Sequence, residues 1–279
     1  MQINAHGGFW TEEKLRIVKE YLEAYTTALR KQMGFKLMYI DAFAGSGMTK
    51  LKDGRSIPGS ALNALEIAHP FDSYVFIEKD QDKVDTLRTL IKTRGLDDCS
   101  SEFMVEDVNT GIPRLMASTD WNIFRAVAFV DPCATQTDWT TIETIAQTKR
   151  VDVWYLFPLS AVTRELPRGG RPDPTWVDNL NRVFGDDQWL GRFYIPNPQM
   201  NLLDIEDDEI RNVNQIELKN YILERLRTVF HFVSDRPRIL YNSNNSPLFM
   251  LCFAMGNGDE KAIRLGRTLA DYILGRSGI

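Results

Sequence analysis

Four short segments of this chain place an acidic residue where an apolar run gives way to a loop: Asp41 in DAFAGSG, Glu78 in FIEKD, Asp107 in EDVN and Asp131 in FVDPC. The first segment joins the acid to Phe43 and to Gly45 and Gly47, in a turn where backbone must come close to a ligand and a Cβ would intrude. Glu78 closes its run where a carboxylate can accept both hydroxyls of a ribose. Asp107 stands where it would accept a hydrogen bond from an exocyclic amine of adenine, although acids also commonly start helices. Asp131 is followed by Pro132, which ends a strand ladder and stiffens the loop. Each feature is weak alone. Together, as acidic strand ends in order along one sheet edge, they point to a nucleotide-like ligand.

Spacing narrows the ligand. A dinucleotide fold wants G-x-G-x-x-G with an acid about 20 residues on, whereas here the loop is D-x-F-x-G-x-G and Glu78 lies 37 positions beyond Asp41, which disfavours NAD. A phosphate-cradling Walker loop needs G-K-[ST], and Gly47 is followed by Met48. The cysteines, Cys99, Cys133 and Cys252, are three, far apart and without CxxC pairing, so neither a disulfide framework nor a zinc site is expected. His6, His69 and His231 share no ligand spacing, and no metal is assigned. Trp139, Trp154 and Phe157 read as core aromatics. Lys149, Arg150, Arg164, Arg168 and Arg171 form the most basic neighbourhood, expected as a solvated loop near the mouth of the site.

The elements that must carry these residues follow from periodicity. Leu15, Val18, Leu22, Tyr25 and Leu29 recur at spacings of three and four, predicting an amphipathic helix from Thr11, its N-cap, to about Gln32. Strands are expected at Lys36 to Asp41, Ser73 to Glu78, Glu102 to Glu106, Ala126 to Asp131, Val151 to Phe157, Arg238 to Asn242 and Leu248 to Ala254. Helices are expected at Pro58 to His69, Gln81 to Arg94, after Asn109, at Trp139 to Thr148, Ile210 to Thr228 and Glu260 to Leu274. Strands alternating with helices, several of them apolar throughout, imply a doubly wound α/β fold: a seven-stranded, mostly parallel, Rossmann-like sheet with an N-terminal helix. The last two strands, joined by NSNNSP, are expected to pair antiparallel. Prolines and glycines from Arg164 to Asp208 break the rhythm, so 164–208 is expected as an insertion on the substrate side, over the strand ends.

Composition sets outer bounds. With 279 residues, 43% hydrophobic and 25% charged, residues 1–279 are expected to form a single domain. No apolar stretch approaches the ~20 residues of a membrane span, and the N-terminus lacks a basic start with an apolar run, so a cytoplasmic protein without membrane association is expected. A net charge of -5 argues against broad adhesion to nucleic acid while leaving room for a local basic patch.

In this order, DAFAGSG, FIEKD, EDVN and FVDPC resemble the motifs of class I S-adenosylmethionine-dependent methyltransferases, across roughly the first 160 residues. WTEEKLRIVKEYLEAY, IPGSALNAL, DPCATQTDWTTIETIA, WYLFPLSA and SPLFMLCFA further resemble the three-Cys-motif partner proteins (TcmP), over nearly the whole chain. The resemblance implies a methyltransferase-like fold, S-adenosylmethionine as cofactor, a bacterial or phage context and a neighbouring protein with three cysteines as partner. It implies that Asp41 faces the methionine end, that Gly45 and Gly47 allow close approach, that Glu78 holds the ribose and that Asp107 reads the adenine. Asp131 and Pro132 match the start of the catalytic D/N-P-P-Y/F loop of amino-methyltransferases, but Cys133 and Ala134 replace the second proline and the aromatic that stacks on a flipped base. Adenine N6 methylation of duplex DNA is thereby put in doubt. A Pro-Cys pair also occurs in the nucleophile loop of cytosine C5 methyltransferases, yet the flanking residues differ, and a packed cysteine is the expected reading of Cys133. The implied activity is methyl transfer to a nucleic acid, nucleotide or related acceptor. A cofactor-binding partner subunit and an idle nucleic-acid- or protein-binding module stand as alternatives.

Overall fold

Strands that are apolar at nearly every position have both faces to bury, and the fold gives them two. The computed structural model describes residues 7–30, 34–97, 99–197 and 209–276. The first half of the chain runs through α1 (Phe9–Leu29), β1 (Lys36–Asp41), the short strands β2 (Met48–Lys50) and β3 (Ser56–Pro58), α2 (Ser60–Leu65), β4 (Ser73–Ile77), α3 (Gln81–Thr93) and β5 (Ser101–Met104). After these come α4 (Val108–Ser118), β6 (Phe124–Val130), α5 (Trp139–Gln147), β7 (Val151–Phe157), α6 (Leu159–Arg164), α7 (Pro174–Phe184) and α8 (Gln188–Phe193). The chain ends with β8 (Tyr194–Pro196), β9 (Glu209–Arg211), α9 (Gln215–Arg227), β10 (Phe232–Val233), β11 (Arg238–Tyr241), β12 (Pro247–Met255) and α10 (Glu260–Gly275).

The main sheet has the order β5-β4-β1-β6-β7-β12, with β10 and β11 both paired to β12. β1, β4, β5, β6 and β7 are parallel, and β12 runs antiparallel to β7. The mostly parallel α/β sheet expected from the strand-helix rhythm is therefore present, with seven positions across. An eighth strand arises because the edge position is split: β10 pairs with Met255 and Ala254, and β11 with Leu251 to Pro247. Pro237 lies in the gap and has no N–H to give to a ladder.

Alternate side chains serve the two faces. Met38 and Ile40, Ala126 and Ala128, and Val153 and Tyr155 point into a core shared with α4, α5, α7, α8 and α9. Tyr39, Val127, Phe129, Trp154 and Leu156 point into the other, shared with α1, α2, α3 and α10. No helix of the described residues is long and apolar enough to cross a membrane.

Several boundaries differ from expectation. The cap of α1 is Gly8, and Thr11 lies one turn inside, buried. The expected end of this helix near Gln32 lies outside the described residues. The helix expected from Pro58 is only Ser60–Leu65, because Met48 to Pro58 form a β2-β3 hairpin. The helix expected from Ile210 begins at Gln215, where Asn214 and Glu217 form a reciprocal capping box; Ile210 itself pairs in β9. The described residues of 164–208 contribute to the first core. Asp173 caps α7, Gly185 ends it with φ +75°, and Phe184, Trp189 and Phe193 pack with Tyr221 of α9 in the first core.

Candidate functional site

The strand order reverses between β1 and β6. β1 leads to β4 through α2 on one face of the sheet, and β5 leads to β6 through α4 on the other, so their loops part at the carboxyl edge. Open α/β sheets bind ligands at such switch points. A cleft of ≈ 320 Å³ opens there, lined by Phe43, Gly45, Glu78, Asp107, Asp131 and Pro132, and also by Lys14 and Phe249. The four loop segments that supply the candidate residues thus converge on one space.

The two glycines of the first loop have different duties. Gly45 has φ +60° and a Cβ there would meet no atom within 4 Å, so its open side is the cleft. Gly47 has φ +87°, but a Cβ there would come within 2.8 Å of Leu87 Cδ1. Its smallness also serves the packing of the loop on α3, while Gly47, like Gly45, lines the cleft. Asp41 is 0% exposed and is not among the cleft's lining residues. Its carboxylate accepts from the Tyr39 hydroxyl and the Phe43 amide, each at 3.3 Å, and so braces the loop from beneath. Burial pushes Asp41 up to about 6, against the lowering effect of hydrogen bonds from Ser60, Phe43 and Tyr39.

Glu78 stands at the end of β4 with its side chain mostly covered. Its Oε2 accepts from the Gly45 amide at 3.2 Å and its Oε1 from the Asp80 amide at 3.1 Å, with Lys83 Nζ at 3.8 Å. Glu78 thereby ties the second loop to the first and keeps lone pairs toward the cleft. Asp107 caps α4 by accepting from the Asn109 amide at 2.9 Å. The helix-start reading and the cleft-lining reading both apply to it.

Across the cleft, Asp131 Oδ2 forms an ion pair with Lys14 Nζ of α1; the two side chains are 18% and 9% exposed. The Lys14 ammonium also sits 5.1 Å from the centroid of the Trp10 ring, which packs on Phe249 at 4.9 Å. Thr11 is 2% exposed, lines the same cleft, and its Oγ1 has no hydrogen-bond partner among the described residues. Cys133 is exposed rather than packed as expected; it donates its amide to Gln136 Oε1 at 2.9 Å, and partial burial of its thiol and the Asp131 carboxylate push that thiol up. Both effects oppose a thiolate nucleophile.

Lys14, Trp10, Thr11 and Phe249 are the site residues that the sequence did not announce. Lys14 lies 117 positions from Asp131 and reads as one more polar residue of an amphipathic helix. Trp139, Trp154 and Phe157 are buried core residues, as expected. The basic neighbourhood is divided: Lys149 and Arg150 precede β7, and Arg164, Arg168 and Arg171 follow it. Seven residues of strand, at ~3.3 Å each, hold the two groups about 20 Å apart on opposite edges of the sheet. Arg171 is moreover paired with Glu209. None of the described residues of 164–208 lines the cleft.

No protein-family model matches the sequence, and no curated protein matches it. Among solved structures, protein LPL1258 from Legionella pneumophila is similar at 13% identity, with 98% of this chain and 96% of that chain covered and a TM-score of 0.48. The N-terminal domain of EvdMO1 with SAH bound is similar at 10% identity over 85% of this chain and 79% of that chain, TM-score 0.40. Spermidine synthase in complex with the transition state analogue AdoDATO is similar at 12% identity over 91% of this chain and 62% of that chain, TM-score 0.45. These are distant likenesses of chain path; the fold stands on this chain's own strand order and direction.

Proposed function

We propose that the cleft binds S-adenosylmethionine and that the protein transfers its methyl group to a nucleic acid, nucleotide or related acceptor. The observation that carries this reading is the convergence of Gly45, Glu78, Asp107 and Asp131, from four strand ends, on one cleft at the switch point. The residues suit the cofactor chemically. The space over Gly45, which a Cβ would occupy, admits a ligand against the backbone. Glu78 offers a carboxylate to vicinal hydroxyls, and Asp107 offers an acceptor to an exocyclic amine. When bound, S-adenosylmethionine supplies an electrophilic methyl group on a sulfonium centre.

The chain's own contribution is positioning. Trp10, Phe43 and Phe249 give the cleft apolar walls that exclude water, and Asp41 holds the loop from below. Asp131, with the adjacent Pro132, stands on the acceptor side, where its carboxylate accepts a hydrogen bond from the acceptor's N–H or O–H and takes its proton. Lys14 balances that charge.

Calorimetric titration of the purified protein with S-adenosylmethionine and S-adenosylhomocysteine tests the reading. Both bind the native protein, Glu78→Ala loses the affinity, and Asp131→Ala keeps the affinity while losing transfer of labelled methyl to nucleic-acid and nucleotide acceptors. Failure of both molecules to bind would sink the proposal. The Lys14–Asp131 pair favours one second reading, because the ammonium already occupies the carboxylate oxygen that an acceptor's N–H or O–H would need. The protein is then a cofactor-binding partner subunit, with the three-cysteine protein as the partner the resemblance suggests. Binding without turnover by the isolated chain, restored by a partner, is its signature.

A further inference from the structure

A second cleft, ≈ 540 Å³, opens on the opposite edge of the sheet between α1 and α10, where the parallel strands begin. Leu29, Phe35, Leu265 and Leu269 make its walls apolar. At its floor Asp152, 6% exposed, accepts from the Tyr21 hydroxyl at 2.9 Å. Tyr25, 7% exposed, also lines the cleft and has no hydrogen bond for its hydroxyl among the described residues.

The basic groups are the informative part. Arg125 of β6 and Arg150 just before β7 adjoin, since the Ala126 amide donates to the Arg150 carbonyl at 3.0 Å. Both line the cleft. Arg125 is held in place by the carbonyls of Trp121 and Phe124, at 3.1 and 2.8 Å, and by the Phe35 ring at 5.2 Å. Neither arginine forms an ion pair among the described residues, and burial together with the neighbouring Arg150 pushes the Arg125 guanidinium down. Neither acid that lines the cleft pairs with these arginines: Asp152 is bonded to Tyr21 and raised by burial to about 7, and Asp259 accepts from the amides of Lys261 and Ala262. Two like charges set side by side without an ion-pair partner repel, and an oxyanion between them removes that repulsion while using the fork of N–H donors that suits phosphate and carboxylate.

We propose that this second cleft binds a small organic oxyanion, a phosphate or carboxylate on an apolar body, gripped by Arg125 and Arg150. The Tyr25 hydroxyl adds a hydrogen bond, and Leu29, Phe35, Leu265 and Leu269 bury the body. The site does not depend on the proposed methyl transfer.

Calorimetric titration of the full chain with phenyl phosphate, phenylacetate, inorganic phosphate and benzyl alcohol tests it. At least one aromatic anion binds saturably, inorganic phosphate binds more weakly and benzyl alcohol does not bind. Arg150→Gln weakens the anion about tenfold to a hundredfold, the size of a lost charge-assisted hydrogen bond, and melts no lower than the native protein. Arg150→Lys retains part of the affinity, and Arg168→Gln, an exposed arginine that lines neither cleft, leaves it unchanged. Absence of saturable binding by both aromatic anions, undiminished binding by Arg150→Gln, a lowered melting point in that variant, or loss of binding in Arg168→Gln would each overturn the proposal.

Discussion

Lys14 and Asp131 meet across 117 positions of sequence, and their pairing is the interaction that ties α1 to the loop after β6. With side chains 9% and 18% exposed, each ion has given up most of its water, so removing one partner strands the other. Lys14→Met is expected to lower stability by about 3 kcal/mol, and the double variant Lys14→Met/Asp131→Asn to recover most of that loss. Urea denaturation of all four members of the cycle measures the coupling; strictly additive losses would show that the pair contributes no coupling energy. Asp152 supports a second prediction at this scale. Burial holds its carboxyl at about 7, above the ~3.9 of a free aspartate. Between about pH 4 and 7 the folded chain therefore binds more of this proton than the unfolded chain does, so stability falls as pH rises through the window and stays low above it. Asp152→Asn keeps an acceptor for Tyr21 but cannot ionise. It is expected to out-melt the native protein at pH 8, by up to about 4 kcal/mol, and to lose the advantage near pH 4. Thermal melts across that range check it, and a pH-independent difference would contradict it.

At the scale of elements, the loop from β1 to β2 separates two uses of glycine that look alike in sequence. Gly45→Ala forces an L-residue to φ +60° with empty space beside it, at a cost of about 1 kcal/mol. Gly47→Ala forces φ +87° and also drives a methyl against Leu87, for about 2–3 kcal/mol. Denaturant melts are expected to rank Gly47→Ala as the more damaging of the two. Calorimetry with S-adenosylmethionine is expected to show the larger affinity loss per unit of stability lost in Gly45→Ala, and a reversed pattern would reassign the two positions. The strands were legible because a run such as VDVWYLF, buried at every position, leaves no polar face that a helix would need. The β2-β3 hairpin was not legible: its three-residue strands carry no alternation to read, and Pro58 looked like a helix start.

The whole molecule is organised by how its carboxyl-edge loops and its later helices close over the sheet. Gly185 shows the second half of that closure. Its φ is +75°, and a Cβ there would fall inside the Trp139 ring of α5, so α7 ends directly on another element of the first core. Gly185→Ala is expected to cost about 3–4 kcal/mol in denaturant melts, far more than the ~1 kcal/mol of a surface C-cap substitution, because the ring has no free side to move into. A loss of only the smaller size would mean that α7 docks loosely.

By itself the sequence determined which residues end strands in acids, which runs are buried on both faces, and that the repeated strand-helix alternation must wind into a parallel sheet. These are local matters of period and residue type. Only the tertiary structure decided that Asp41 lies beneath the cleft while Glu78, Asp107 and Asp131 line it, that Gly47 packs against Leu87 as well as lining the cleft with Gly45, and that Lys14 reaches Asp131. It also decided that Arg150 and Arg164, near in sequence, stand on opposite edges, because the strand between them spans the sheet. Each depends on which segments the fold brings together and which way they then face, and spacing along the chain does not encode that.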